Sequence, residues 1–266
     1  MADHDFDLTL HGPHTWVAPS RPGLMLPGGR SHWGGYALGI MMKSLLGEPQ
    51  RKGEPVSMTV SYIGALLDAE SHVSNRLLRQ GGSLEFWRSE VSQNGGAPAA
   101  HGDFIFGRRQ PTKRFGWIQR PEAPPPEDLP SYEGPVAFLK EYEFRGPYPF
   151  PKGDGSSDSL AWIRFKDGRD LDYVNLAMAA DRFPPRHVAV YGWGSGQNST
   201  ISLSAYFHAT AAEVAEVGND FVLCFAQGRS GADNIFDMTA SIWRRDGLLL
   251  LTTEQLCWFK EPAAQS

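Results

Sequence analysis

One carboxylate sits where local rules disfavour it. Asp181 falls near the end of residues 171–185, LDYVNLAMAADRFPP, where Tyr173, Val174, Leu176, Ala177, Met178, Ala179, Ala180 and Phe183 leave almost no polar face. The pattern predicts a helix, and a helix without a water-facing side has to be enclosed by other structure. Pro184 and Pro185 stop it. Asp181 would then lie in the last turn, where the helix dipole opposes negative charge. Burial raises a carboxylate's pKa and makes it a better base, able to take a proton from water. The plainer reading is an ion pair with Arg182 or Arg186.

Other suggestive residues lose force in context. Residues 192–196, GWGSG, have the glycine content of a phosphate loop, but a strand-like run follows them rather than a helix. His11 and His14 are spaced like metal ligands in a proline-containing loop without further donors, so no metal site is predicted. Cys224 and Cys257 lie in apolar strand-like runs and read as two buried thiols in a reducing cytoplasm. No Gly-x-Ser-x-Gly elbow is present, which argues against a serine hydrolase. Asp181 and His187 have almost the spacing of the Asp…His pair of hydratases; this is kept as an alternative.

The elements that would position Asp181 repeat. Residues 36–46, YALGIMMKSLL, form a second predicted helix with little polar surface, entered through Gly28-Gly29 and Gly34-Gly35 and closed by Gly47. Strands are expected at 6–10, 16–18, 56–63, 70–79, 83–92 and 99–106, with Asn94-Gly95-Gly96 as a hairpin turn. Residues 108–135 hold seven prolines and read as an extended surface linker; 136–150 is aromatic and resumes the fold as a strand. Strands then follow at 160–165, 200–207, 221–227, 236–243 and 248–259, with a turn at Asp246-Gly247. Each half therefore reads as a strand, a buried helix and a meander of about four strands. A meander is antiparallel and covers its helix on one face. The expected fold class is α+β, a tandem (double) hot-dog in which each half wraps an antiparallel sheet around one central helix. The boundaries are 1–107, a linker at 108–150, and 151–266.

The chain has 266 residues and a net charge of −5, which gives no electrostatic case for binding nucleic acid or an anionic membrane. No apolar run reaches the roughly 20 residues of a membrane helix, and the acidic start lacks the features of a secretory signal. A cytoplasmic location is expected.

Residues 33–37 (WGGYA), 161–164 (AWIR), 176–185 (LAMAADRFPP), 203–207 (LSAYF) and 242–248 (IWRRDGL) resemble the double hot-dog acyl-CoA thioesterases of the thioesterase II type. The likeness covers roughly 29–107 and 159–260. It implies an acyl-CoA substrate, hydrolysis to a carboxylic acid and free CoA, a place in fatty acid metabolism, no cofactor, and a homo-oligomer. It also implies a catalytic set of Asp181, Thr200 and Gln255. The first half offers Ser44, a residue near Ser57, and Gly102 or Asp103 at the equivalent places, so one active centre per chain is expected. The carboxylate would accept a proton from a water that Thr200 and Gln255 hold. If the two helices run antiparallel, the start of the first meets the end of the second. That nominates the amides of Gly34, Gly35 and Tyr36 as oxyanion donors. Met41, Met42 and Met178 would line the acyl chain. A third possibility is a protein that binds acyl-CoA without chemistry.

Overall fold

The computed structural model describes residues 7–134 and 136–261. Phe6, in the first expected strand, and Pro135 lie outside them. The described residues form fourteen strands: β1 (Thr9–Gly12), β2 (Thr15–Ala18), β3 (Glu54–Tyr62), β4 (Ser71–Gln80), β5 (Leu84–Ser92), β6 (Ala100–Gly107), β7 (Ser131–Tyr132), β8 (Tyr142–Arg145), β9 (Ser159–Phe165), β10 (Gln197–Phe207), β11 (Val222–Gln227), β12 (Gly231–Ala232), β13 (Ile235–Trp243) and β14 (Leu249–Lys260). Four α-helices accompany them: α1 (Gly34–Leu46), α2 (Tyr173–Ala179), α3 (Arg186–Tyr191) and α4 (Ala211–Ala215).

All strands but the short β12 lie in one path, β1-β2-β4-β5-β6-β3-β10-β14-β13-β11-β9-β8-β7, and the pairs that define it are antiparallel. The order β2-β4-β5-β6-β3 in the first half is matched by β9-β11-β13-β14-β10 in the second. The halves join through β3 and β10, where Ser61 faces Ser202 and Ser57 faces Tyr206. This makes a large antiparallel sheet with few helices. Alternation sets its faces: along β14, Leu251, Thr253, Gln255, Cys257 and Phe259 are buried while Glu254, Leu256 and Trp258 are exposed.

Helices α1 and α2 pack against each other. In α1 the core includes Tyr36, Leu38, Ile40, Met41, Met42 and Leu45, all with no exposed surface. Asp172 caps α2 by accepting from the Asn175 amide at 2.7 Å.

Three expectations change here. The predicted helix 171–185 stops at Ala179 and gives way to a turn before α3. The reason lies in its prolines. A longer helix would bond the carbonyls of Ala180 and Asp181 to the amides of residues 184 and 185, and proline has none. Gly47 does end α1, yet with a right-handed φ of −80°. A Cβ there would come within 2.7 Å of the Trp16 ring, so close packing explains the glycine. Finally, 108–150 is only partly a connection. Residues 108–125 have no regular structure, but β8 pairs with β9 and β7 with β8, so 131–132 and 142–145 extend the second half's sheet.

Candidate active site

The two carbonyls orphaned by Pro184 and Pro185 set the site's frame, because a buried carbonyl needs a donor. Gln255 Nε2 donates to the Ala180 oxygen at 2.8 Å, and Trp33 Nε1 donates to the Asp181 oxygen at 2.7 Å. One bond ties the turn to β14. The other ties it to the residue before α1. The end of α2 is thereby held at the start of α1.

The Asp181 side chain is turned toward that helix start, where the Gly35 backbone N–H approaches it. A Cβ on Gly34 would lie 2.6 Å from Asp181 Oδ2, so only glycine allows this approach. The positive end of α1 favours the carboxylate's charge. Thr200 Oγ1 donates to Asp181 Oδ1 at 3.1 Å. Against these, burial dominates and pushes the Asp181 pKa up to about 7. Neither arginine of the plainer reading pairs with it. Arg182 turns to Cys224 and the Tyr142 ring, and Arg186 to backbone oxygens of Ser157, Pro184 and Ala226.

Thr200 reaches Asp181 because of a bulge. Thr200 is paired with Cys257 and Ser202 with Leu256, so Ile201 is an extra residue. The buried face of β10 carries Leu203, Ala205 and Phe207. Strict alternation from Leu203 would turn Thr200 to the outer face, and the bulge returns it to the inner one.

Gln255 makes no direct bond to Asp181 or Thr200. Its oxygen accepts from Cys257 Sγ at 3.8 Å, and the same thiol is 3.9 Å from Thr200 Oγ1. Burial holds the Cys257 pKa up to about 12, so it is a neutral thiol linking the two residues and not a nucleophile. Both cysteines are free and buried.

Of the expected oxyanion donors, Tyr36 drops out. Its N–H bonds the Trp33 oxygen at 2.9 Å, closing the first turn, and its hydroxyl donates to the Pro19 oxygen at 2.9 Å. The Gly35 amide faces Asp181. The Gly34 amide makes no hydrogen bond to protein among the described residues. Tyr62 was not foreseen. Its ring packs on Gly34, its hydroxyl donates to the Gly34 oxygen at 3.2 Å, and burial together with Asp181 pushes its pKa well above the usual range. Only its place at the end of an alternating strand could have suggested it.

His187 does not pair with Asp181. It is buried between the Phe236 and Phe259 rings, and neither ring nitrogen makes a well-formed hydrogen bond, although the Gly196 backbone approaches it. Burial lowers its pKa, so it is a neutral ring in an apolar stack. Met41, Met42 and Met178 are core residues. In the first half Ser44 bonds the Met41 oxygen and Asn75, and Asp103 pairs with Arg88 at 2.8 Å. Among the described residues no cluster of three or more His, Cys, Asp or Glu could hold a metal ion, and no helix is long and apolar enough to cross a membrane.

The chain is similar to a hot-dog-fold protein of unknown function from Alicyclobacillus acidocaldarius, with 24% identity, 98% of each chain covered and a TM-score of 0.90. It is also similar to an acyl-CoA thioesterase II from Mycobacterium marinum, with 17% identity, 97% of this chain and 98% of the other covered, and a TM-score of 0.78. These likenesses give the fold, which is of the hot-dog kind. No curated protein sequence matches the chain. Family models do: the acyl-CoA thioesterase N-terminal domain matches residues 22–107 and the C-terminal domain matches residues 119–259. With both domains present in order and the C-terminal one covering more than half of its length, the chain belongs to the acyl-CoA thioesterase family.

Proposed function

We propose that this chain hydrolyses an acyl-CoA thioester to a carboxylic acid and free CoA, with one active centre per chain and no cofactor. We read the fold as two hot-dog units in tandem, each five antiparallel strands on one buried helix, with β1 added to the first and β7 and β8 to the second. The single observation that carries the reading is Asp181: a carboxylate with a pKa of about 7, held against the N-terminus of α1. Such a group is half ionised near neutral pH and is matched to taking a proton from water.

In this reading the attacking water lies between Asp181 and Thr200. Thr200 spends its proton on Asp181 Oδ1, which leaves its lone pairs to accept from the water. The water loses a proton to Asp181 as its oxygen attacks the thioester carbon. The developing oxyanion is met by the free Gly34 amide, within the positive field of α1. When the tetrahedral intermediate collapses, the C–S bond breaks and the proton on Asp181 goes to the departing thiolate. Gln255 acts through position: it holds the Ala180 carbonyl and so the turn that aims Asp181. The free, buried cysteines suit a reducing compartment such as the cytoplasm.

The test is release of free thiol from a panel of acyl-CoAs of graded chain length. At least one is expected to be turned over by the wild type, with kcat/KM falling about 10²–10⁴-fold in Asp181→Ala. Turnover that survives Asp181→Ala for every chain length, or no turnover of any, contradicts the proposal.

A further inference from the structure

One turn beyond Asp181 the chain borders a second feature that the proposed hydrolysis does not use. A narrow apolar cavity of about 70 Å³ lies between β7–β8, β9 and residues 182–184. Its walls include Leu139, Phe144, Phe150, Ala161, Ile163 and Trp193. It is smaller than a drug-sized site and suits only a short chain, but it has the make-up of a ligand site, mostly apolar with a few polar groups to fix orientation.

The polar group here is Arg182, which lines this cavity and is only 7% exposed. A buried guanidinium ordinarily has a carboxylate partner, because an uncompensated buried charge is costly. Arg182 makes no ion pair among the described residues. Its partners are weak ones: the neutral Cys224 thiol at 3.5 Å and the face of Tyr142, with the guanidinium carbon 4.5 Å from the ring centre. The neighbouring acids are already taken. Glu133 on the cavity rim pairs with Lys166 at 3.1 Å, Glu143 with Arg145 and Arg164, and Glu141 with Arg169. Tyr132 adds a second donor: its hydroxyl makes no hydrogen bond among the described residues, and burial pushes its pKa up to about 12, so it keeps its proton. The cavity is thus an apolar slot with one unneutralised cation and one free hydroxyl donor.

We propose that this cavity binds an aliphatic carboxylate, with Arg182 as its charge partner and the apolar walls holding the carbon chain. A guanidinium meets a carboxylate in a planar, two-bond fork, which a thiol cannot offer. Two sources share this chemistry: a carboxylate at the far end of the substrate's acyl group, or the free acid that hydrolysis releases. The inference concerns binding and is read without turnover, so it stands or falls separately from the proposed hydrolysis.

The experiment is calorimetric titration of the intact protein with hexanoate and with 1-hexanol, repeated on Arg182→Met and on Arg182→Lys. Saturable hexanoate binding at least tenfold tighter than hexanol, lost in Arg182→Met and partly kept in Arg182→Lys, is the expected result. Should Arg182→Met fail to fold, the comparison of acid with alcohol on the wild type and on Arg182→Lys still decides. Equal binding of acid and alcohol, no saturable binding of hexanoate, or hexanoate binding unchanged in Arg182→Met overturns the proposal. A kinetic arm assigns the source once binding is established. A lower KM for adipyl-CoA than for hexanoyl-CoA, abolished in Arg182→Met, supports the substrate's own carboxylate. Equal KM values with inhibition by hexanoate support the released acid.

Discussion

At the scale of single residues, the environment of Asp181 ties its ionisation to the stability of the fold. Its folded pKa of about 7 stands above the ordinary aspartate value, so the native state holds its proton more tightly than the unfolded chain. The stability that this group contributes is complete below about pH 3.9. It is lost progressively as the pH rises through about 7. Asp181→Asn keeps the shape and removes the titration. Urea denaturation of both proteins is expected to show the variant gaining on the wild type between pH 4 and pH 7.5, with little further change above. The gain should be on the order of 2 kcal/mol, less than the roughly 4 kcal/mol implied by the full rise, because one edge of the side chain meets solvent. A difference that is flat with pH would mean that the carboxylate is not desolvated. Asp181 was legible in the sequence because a charge stood out in an apolar run. Tyr62 and Cys257 were not, since a tyrosine ending a strand and a cysteine within one are ordinary strand residues until their neighbours are known.

At the scale of elements, the turn after α2 is what the two prolines create. Pro184 and Pro185 were read as a stop, which they are, but the helix ends earlier than they stand. The missing amides act on carbonyls four residues upstream, and that places the break at Ala180 and Asp181. Gln255 then serves the backbone. Gln255→Leu would leave the buried Ala180 carbonyl without its donor, at a cost of about 1–3 kcal/mol. The loosened turn should lower kcat while KM stays near its wild-type value. A loss confined to KM would place Gln255 on the substrate instead. Thr200 shows the limit of reading alternation. The strand 200–207 was visible, and the face of Thr200 was not, because the extra residue Ile201 is a property of the pairing with β14 and leaves no mark in the local pattern.

At the scale of the whole molecule, the strands and the two apolar helices were legible because hydrophobic alternation and glycine turns are local, but the expected four-strand meander is corrected by the topology: β3 lies beside β6 and β10 beside β14, outside the hairpin order. The contacts that join the halves were not legible, because they pair residues about 145 positions apart, such as Ser57 with Tyr206. Arg109 is one such joint. It donates to the Pro55 oxygen at 3.0 Å and to the His208 oxygen at 3.3 Å, and lies 3.5 Å from Glu54, which itself accepts from Tyr173 at 3.2 Å. Since α1 packs on α2 and β3 on β10, residues 1–107 alone would expose a long sheet edge and an apolar helix face. The fragments 1–107 and 108–266 are expected to aggregate when made separately, while the intact chain unfolds in a single transition by calorimetry. Two well-separated transitions, or a folded 1–107 fragment, would show the halves to be independent.

Whether Asp181 is the base of a thioester hydrolysis is decided by the pH dependence of kcat/KM for acyl-CoA hydrolysis. This quantity reports the free protein's own ionisation. With Asp181 as the base, kcat/KM rises about tenfold per pH unit below neutrality to a plateau above, with the midpoint near the Asp181 pKa of about 7, and the residual activity of Asp181→Asn shows no such rise. A wild-type profile that is flat from pH 5 to pH 9, or a midpoint near 7 that persists in Asp181→Asn, would contradict that role.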